Sequence, residues 1–479
     1  MRHTAILITS ILLISTSHAI VDKDNMGRWT KPTNSRADKD VPGFLVNLGP
    51  TGARAILKET SLVVKYVFPN TPADGKLEID DEIIGANGKE FTTKHIFGMH
   101  YFKNHDKGYE GPMMDFGNAI EESEGLDGTM VLDVMRGGKN VKVLIQIPKA
   151  GRFSKTYPVN CRKSDKLVAD ALEYILKDPD RFKGPVHEKG TIGLALLAHG
   201  RLGEARELAQ QWNTVPGPNT WTWPVSYQCI FLGEYYLKTK DPSVLKTIEG
   251  LVARLYEGQV IDTEKYKDWM HSGQPNGNNF LHGGLGHAVK IDGYGTMTIT
   301  TLLAMTAWEL AKECGVKVDQ QRLDFAYACI KENTGKDGYM GYRFATGKYS
   351  GVGRQGLSII VHKMSGMENS DPYIALVSKH LGISKTRLND GHGDNVLSLF
   401  WGLVGVQASQ NMQAIREQLD YNKALINLAR THDGSFVALP GRNNGDKGYY
   451  VSSRLHFTAA MTIILSMDEP TLRVQGARE

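Results

Sequence analysis

Residues 278–312, "NNFLHGGLGHAVKIDGYGTMTITTLLAMTAWELAK", join the two patterns that decide the fold of this chain. The first part is rich in glycine and shows no apolar period, and its polar side chains include His282, His287, Asp292 and Tyr294. From Thr296 to Lys312 apolar residues occupy nearly the whole circumference of a helix. Such a helix must be surrounded by other helices, because a surface helix keeps one polar face.

The same pairing of a polar loop with an apolar helix recurs along the chain. Nearly apolar helices are predicted at Thr191–His199, Val225–Lys238, Thr296–Lys312, Gly356–Lys363, Val396–Ala408 and His456–Ser466. Amphipathic helices alternate with them at Arg201–Trp212, Ser243–Tyr256, Gln320–Asn333, Pro372–Leu381 and Gln410–Arg430.

Helical pairs of this kind bury their apolar faces only by stacking on neighbouring pairs. From about Ser164 to Glu479 the chain has room for six pairs of about 50 residues each. We therefore expect an all-α (α/α)6 toroid, with the apolar helices inside and the amphipathic helices outside. An open solenoid is the alternative.

The region at 41–149 has the composition of a small β domain. "SLVVKYVF" and "NVKVLIQI" are runs of β-branched and apolar residues that predict strands. "PNTPADGKLEIDDEIIGANGKEF" resembles the PDZ domain, in which a Pro-Ala turn is followed by a strand and an Asn-Gly hairpin turn, here Asn87-Gly88. "NLGPTGARAIL" stands where that family has its carboxylate-binding loop, although it departs from the usual loop. The resemblance implies a PDZ-like fold and, as one possibility, a peptide or protein partner.

Two short motifs, "TGKDGYMGY" and "THDGSFVAL", place Asp-Gly and an aromatic residue between an outer helix and the next inner one. They resemble the terpenoid-cyclase and prenyltransferase toroids, which implies the toroid fold. The acidic proton-donor motif of the cyclases and the zinc ligands of the prenyltransferases are absent, so the resemblance does not imply those activities. The combination of both regions resembles a secreted bacterial family that joins a PDZ-like domain to a toroid.

The first residues, "MRHTAILITSILLISTSHA", are typical of a secretory signal. Arg2 precedes a short apolar segment, and Ser17-His18-Ala19 offers small residues at the cleavage positions. We expect an exported, periplasmic or extracellular protein without stable membrane insertion after cleavage; an uncleaved anchor is the alternative. The expected organisation is a signal peptide at 1–19, a polar segment at 20–40, a PDZ-like domain at 41–149 with an insertion at about 92–116, a linker at 150–163 and the toroid at 164–479.

Composition excludes some classes of partner. The net charge of +4 is small for 479 residues, and no basic run indicates nucleic acid. The four cysteines fit no zinc template, and buried thiols are the simplest interpretation.

In a toroid the inner helices run in one direction. Their N-terminal ends and the loops before them then gather at one end, which we call the mouth. The candidate ligand-binding residues there are Trp221, Trp223, His282, Tyr349, Arg354, Asp394, Tyr449, Tyr450 and Arg454, and the candidate catalytic residues are His287, Tyr294, Asp292, His392 and Asp390. Structural roles as hydrogen-bonding loop histidines, helix caps and packed aromatics are the alternative for each.

The chemistry of these residues favours an acidic polysaccharide. Helix N-termini attract anions, and Arg354 and Arg454 are suited to carboxylate or sulfate. In a lyase, His287 would abstract a proton and Tyr294 would protonate the leaving oxygen. In a glycoside hydrolase, Asp292 would act with Asp390 or Asp394.

The sequence leaves open whether the protein is a lyase, a hydrolase or a non-catalytic binding or scaffolding protein. No cofactor is expected. A metal site formed by His392, Asp394 and the two earlier histidines is a weaker hypothesis, since no helical i, i+4 pair supports it. The shared residue types of separate loops are what favour a common ligand site.

Overall fold

The computed structural model describes residues 44–96, 108–264, 280–289, 295–342, 352–388, 395–437 and 453–477. The first part is an antiparallel sheet in the order β1-β2-β3-β4-β6-β7, with β5 paired to β4. Its strands are β1 Phe44–Asn47, β2 Ala53–Leu57, β3 Leu62–Val67, β4 Glu82–Ala86, β5 Lys89–Glu90, β6 Thr129–Arg136 and β7 Lys139–Gln146. The backbone turns between β4 and β5 at Asn87 and Gly88, whose φ angles are 51° and 76°, as the hairpin motif predicts.

The helix α1, Pro112–Glu124, was not predicted from the sequence, which indicated a β-rich domain here. It buries Phe116 and Ile120 and packs against β4 and β6. Its first five residues fall within the insertion expected at about 92–116, so that part of the segment belongs to the packed domain. The pattern was missed because several glutamates and a glycine interrupt the apolar face of this helix.

The strand β2 has no free edge, because β1 pairs with one side of it and β3 with the other. Peptides that add to a sheet need an unpaired strand edge for their main-chain hydrogen bonds. A peptide partner beside β2 therefore has no support from this arrangement.

Twelve further α-helices follow within the described residues. They are α2 Arg162–Lys177, α3 Val186–Ala198, α4 Leu202–Gln211, α5 Thr222–Thr239, α6 Leu245–Glu257, α7 Thr298–Glu313, α8 Gln320–Glu332, α9 Val352–Met364, α10 Pro372–Ile383, α11 Asn395–Ala408, α12 Met412–Ala429 and α13 Arg454–Leu465. All eleven helices expected from the sequence are present. The additional helix α2 packs against α13.

The odd-numbered helices from α3 to α13 contact one another in a cycle, which closes where α13 meets α3. We call this cycle the ring. The even-numbered helices lie outside it, and α4, α6, α8, α10 and α12 each pack against the inner helix that precedes them in the chain. The division follows from composition, since the inner helix α7 is buried along nearly its whole length whereas the outer helix α4 buries one stripe, Ala205, Leu208 and Ala209.

The N-terminal ends of the inner helices lie at one end of the ring. Thr191 of α3 contacts His456 of α13 at 3.2 Å, and Gly353 of α9 approaches Ser398 of α11 so closely that an added Cβ would lie 2.9 Å from its Cα. This end is the mouth.

The C-terminal ends of the inner helices meet the segment at 471–477. Thr471 donates to the carbonyl of Ala198 at the end of α3, at 3.1 Å. The backbone N–H groups of Arg473 and Val474 donate to Glu234 of α5 at 3.1 and 2.9 Å, and the Arg473 side chain pairs with Glu313 of α7. We call this segment the base, because it covers the end of the ring opposite the mouth.

A buried network of charges joins the sheet region to the helices. Lys163 of α2 contacts Glu121 and lies 2.8 Å from Glu124. Arg430, directly after α12, donates two hydrogen bonds to Glu124, at 2.6 and 2.7 Å. Burial and the neighbouring Arg430 lower the pKa of Lys163.

The segment at 150–163, which the sequence predicts as a linker, packs against the helical region. Phe153 and Tyr157 are buried, and the Tyr157 hydroxyl donates to the carbonyl of Leu419 in α12. The two aromatic side chains therefore help to hold the sheet region against the helical region.

The four cysteines are free and buried, so the expectation of buried thiols is confirmed. Burial raises the pKa of Cys314 and of Cys329 to about 12. The expected signal peptide lies outside the described residues. None of the helices in the described ranges is long and apolar enough to cross a membrane.

Candidate functional site

Three of the candidate residues, Trp221, Trp223 and His287, lie together at the mouth. Trp221 precedes α5 and Trp223 lies in its first turn. The backbone of His287 is held beside them, because its carbonyl accepts a hydrogen bond from the N–H of Thr222 at 2.7 Å. The His287 ring stacks beside Trp223 and meets Trp221 edge to face, with ring centroids 6.1 and 5.5 Å apart.

The hydrogen bond between Trp223 and His287 sets the protonation of the histidine. The indole N–H of Trp223 donates to Nδ1 of His287 at 3.0 Å. An indole nitrogen is a donor only, so Nδ1 must be unprotonated, and the proton of the neutral ring is on Nε2. In this state Nε2 is a hydrogen-bond donor. For His287 to abstract a proton, as in a lyase, this hydrogen bond would first have to break, and its catalytic role stays a prediction.

A second cluster at the mouth consists of His187, Glu188 and His456. One possible ligand atom from each side chain lies within 4.8 Å of the others. Glu188 and His456 are buried, with 2% and 1% of their surface exposed, and His187 is half-buried. The rings of His187 and His456 meet edge to face, with centroids 5.4 Å apart.

Sequence reasoning did not include these three residues among the candidates at the mouth. The helix α3 begins at Val186 and not at Thr191. His187 and Glu188 therefore lie in its first turn, where side chains face the mouth and need not be apolar. The adjacent His-Glu pair before a buried helix was the signal that would have identified them.

Tyr227 of α5 connects the two clusters. It lies one turn after Trp223 on the same face of the helix, and its ring centroid is 6.2 Å from that of His187. Its hydroxyl accepts a hydrogen bond from the indole N–H of Trp401 in α11, at 2.9 Å. The two clusters therefore line adjoining parts of the mouth.

The two candidate arginines have structural partners. Arg354 lies in the first turn of α9 with 5% of its surface exposed, and its Nε donates to the carbonyl of Met340 at 3.0 Å. Arg454, the first residue of α13, pairs with Asp433 at 2.5 Å. Burial opposes the charge of Asp433, but Arg454 and hydrogen bonds from nearby hydroxyl groups outweigh it and lower the pKa of Asp433 to about 2. Asp433 offsets the charge of Arg454, which weakens its attraction for an anionic ligand.

His282 is exposed and lies edge to face on Phe325, with centroids 4.3 Å apart. Within the described residues, His282 makes no ring contact or hydrogen bond with Trp223 or His287. The remaining candidates fall outside the described residues: Asp292, Tyr294, Tyr349, Asp390, His392, Asp394, Tyr449 and Tyr450.

The chain was compared with curated proteins, solved structures and models of protein families. No curated protein matches the chain. Among solved structures, it is similar to the selenomethionine form of a GH76 α-mannanase from Bacteroides thetaiotaomicron, with 16% identity over 62% of this chain and 94% of that chain and a TM-score of 0.41. This degree of similarity establishes neither a common fold nor a common chemistry. A family model described as a domain of unknown function, DUF6288, matches residues 164–476. Because the match spans more than half of the sequence, the chain belongs to the DUF6288 family.

Proposed function

We propose that this protein is a carbohydrate-active enzyme that binds a saccharide at the mouth of the ring. The observation that carries the proposal is the position of Trp221, which is 57% exposed beside the Trp223–His287 pair. Large exposed aromatic faces are unfavourable in water and offer flat surfaces to the C–H faces of sugar rings. A binding site of few polar groups beside apolar and aromatic walls is the usual form of a small-molecule site.

The polar part of the proposed site is His287. With its proton on Nε2, it can donate a hydrogen bond to a hydroxyl or carboxylate oxygen of the ligand. The base covers the opposite end of the ring, so a ligand enters from the mouth. His287 therefore acts in this proposal as a binding and positioning residue, and cleavage uses other groups of the mouth.

An acidic polysaccharide is the proposed substrate class. The support comes from the N-terminal ends of the inner helices, whose dipoles favour an anion. Arg354 and Arg454 add less to this preference than the sequence suggests, because one is buried and the other is paired with Asp433.

We extend the proposal to the organisation of the whole chain. The six inner and six outer helices of the described residues are consistent with an (α/α)6 toroid. The hairpin at Asn87-Gly88 and the helix α1 are consistent with a PDZ-like domain that has a structural or docking role. The sequence of residues 1–19 supports export, in keeping with a polymeric substrate outside the cell.

Incubation of the purified protein with uronate-containing, sulfated and neutral polysaccharides tests the proposal. Size-exclusion chromatography should show shortening of an acidic polymer. A lyase product carries an unsaturated sugar end that absorbs ultraviolet light, whereas a hydrolase product has new reducing ends without this absorbance. The same assay therefore identifies the reaction type.

Trp221→Ala should weaken saccharide binding by roughly tenfold or more, as the loss of a central aromatic contact usually does. Leu144→Ala is the matched control, since Leu144 is an exposed apolar side chain on β7. Binding that depends on Trp221 without shortening of any polymer would favour the non-catalytic alternative. If the protein neither binds nor shortens any saccharide, the proposed function is wrong.

A further inference from the structure

We propose that His187, Glu188 and His456 bind one divalent transition-metal cation, best suited to Zn²⁺, at the mouth of the ring. Two imidazoles and a carboxylate are a ligand set that zinc prefers. The proposal stands on the geometry of this cluster and does not depend on the proposed saccharide activity. It departs from the sequence-based expectation, which considered a metal only at other histidines.

The backbone places the three side chains. His187 and Glu188 are the second and third residues of α3. The Ser453 hydroxyl caps α13 by accepting a hydrogen bond from the N–H of His456 at 3.0 Å. His456 is therefore the third residue of its helix. Since α3 and α13 are neighbours in the ring, their first turns bring the three residues together.

The distances between the three candidate ligand atoms are somewhat longer than those in an occupied zinc site. In a tetrahedral zinc site with bonds of about 2.1 Å, ligand atoms lie about 3.4 Å apart. The three candidate atoms here lie within 4.8 Å of one another. Side-chain rotations would therefore have to bring these atoms closer by at most about 1.4 Å.

Residues around the cluster hold its rings in place. The Thr191 hydroxyl lies 3.2 Å from Nε2 of His456 and also donates to the carbonyl of His187 at 3.1 Å. Hydrogen bonds of this kind orient metal-binding imidazoles. The edge-to-face contacts of the His187 ring with His456 and Tyr227 restrict it further.

Glu188 determines the charge balance of the proposed site. The N-terminal ends of α3 and α13 carry partial positive charge, which opposes a cation. The buried carboxylate of Glu188, which also accepts a hydrogen bond from the N–H of Ser453 at 3.4 Å, offsets that field, and a bound cation would further stabilise its charge. We therefore expect Glu188 to contribute more to affinity than either histidine.

Three protein ligands leave one tetrahedral position open, which is the pattern of catalytic zinc sites and differs from the four-ligand pattern of structural sites. Water or an oxygen of a bound ligand would occupy this position. Tyr227, whose ring lies 6.2 Å from that of His187, adjoins the proposed site.

Metal binding to the full-length, tag-free chain tests the proposal. After treatment with a chelator, titration calorimetry and metal analysis should show one Zn²⁺ per chain. Co²⁺ in its place should give the strong visible absorption of a four-coordinate site. Glu188→Gln and His187→Asn should each lower the Zn²⁺ affinity about 100-fold or more, since even the loss of a residue that only orients a ligand typically costs about 10- to 100-fold.

His432→Asn is the matched control, because His432 is an exposed histidine outside the cluster, and it should keep the wild-type affinity. His187 is half-buried, so its variant remains informative if Glu188→Gln folds poorly. The proposal is overturned if the wild-type chain binds less than one Zn²⁺, or if folded His187→Asn retains the wild-type affinity.

Discussion

At the residue scale, one hydrogen bond decides what His287 can do. The donor-only indole of Trp223 leaves Nδ1 unprotonated and makes Nε2 a donor. The residue type alone suggested a base, whereas the hydrogen bond from Trp223 favours the binding and positioning role that we propose. The hydrogen bond that one ring nitrogen makes decides whether the other nitrogen can donate or accept, and this matters as much as where the histidine lies in the fold.

Trp223→Phe should release this constraint. Without the indole N–H, we expect His287 to exchange between its two neutral tautomers, which ¹⁵N NMR of the imidazole detects. Ligand binding should weaken about fivefold, the equivalent of a net hydrogen bond of about 1 kcal/mol. His287→Asn is the companion variant, since its amide oxygen can still accept from Trp223 but the Nε2 donor is lost. If Trp223→Phe keeps the single tautomer and full binding, the positioning role is wrong.

At the element scale, the base depends on a buried acid. Glu234 of α5 accepts hydrogen bonds from the N–H groups of Arg473 and Val474. Burial raises its pKa from the ordinary value of 4.5 to about 7, although these hydrogen bonds act in the opposite direction. The folded protein therefore holds this proton more tightly than the unfolded chain does.

The resulting pH dependence has a definite sign. Because the folded pKa is above the unfolded one, the stability from protonated Glu234 is fully present below pH 4.5 and is lost as the pH rises toward 7. This difference between the folded and unfolded pKa of Glu234 corresponds to a change of about 3 kcal/mol in the free energy of unfolding. Urea unfolding from pH 5 to pH 8 should show a shallower decline for Glu234→Gln than for the wild type. Equal slopes would show that Glu234 does not titrate in this range.

At the scale of the whole molecule, the buried charges between the sheet and the helices couple the two regions. Lys163 has no exposed side-chain surface and contacts two carboxylates. Buried pairs of this kind contribute little net stability compared with apolar residues, but removal of one partner leaves an uncompensated charge. The helix α1 adds a close contact, because Gly117 packs against Ala424 with no space for a Cβ.

Lys163→Met should lower the free energy of unfolding by about 3–5 kcal/mol. Lys166→Met, on the same helix, is the control, since Lys166 is 46% exposed and pairs with Asp170. This variant should lower the free energy of unfolding by less than about 1 kcal/mol. Calorimetry should show one transition for the wild type, as expected for coupled regions. Separate transitions for the sheet and the helices in the wild type would contradict this coupling.

The sequence by itself determined the type and order of most elements. A helix buried on all sides requires apolar residues around its whole circumference, and a turn such as Asn87-Gly88 requires positive φ angles, so both leave local signals. The helix α1 left a weaker signal, because it is buried partly through glycine contacts that no apolar period records. The first turns of α3, α5 and α9 were taken for loops, since residues facing an open mouth need not be apolar.

Only the tertiary structure decided which polar residues act together. His187 and His456 are separated by most of the helical region in sequence, and they meet because α13 closes the ring against α3. Arg354 and Arg454 find their partners, Met340 and Asp433, 14 and 21 residues earlier in the chain, across the segments that lead into their helices. Local sequence patterns reflect secondary structure and burial, whereas hydrogen bonds and charge pairs between distant residues depend on how the helices close upon one another.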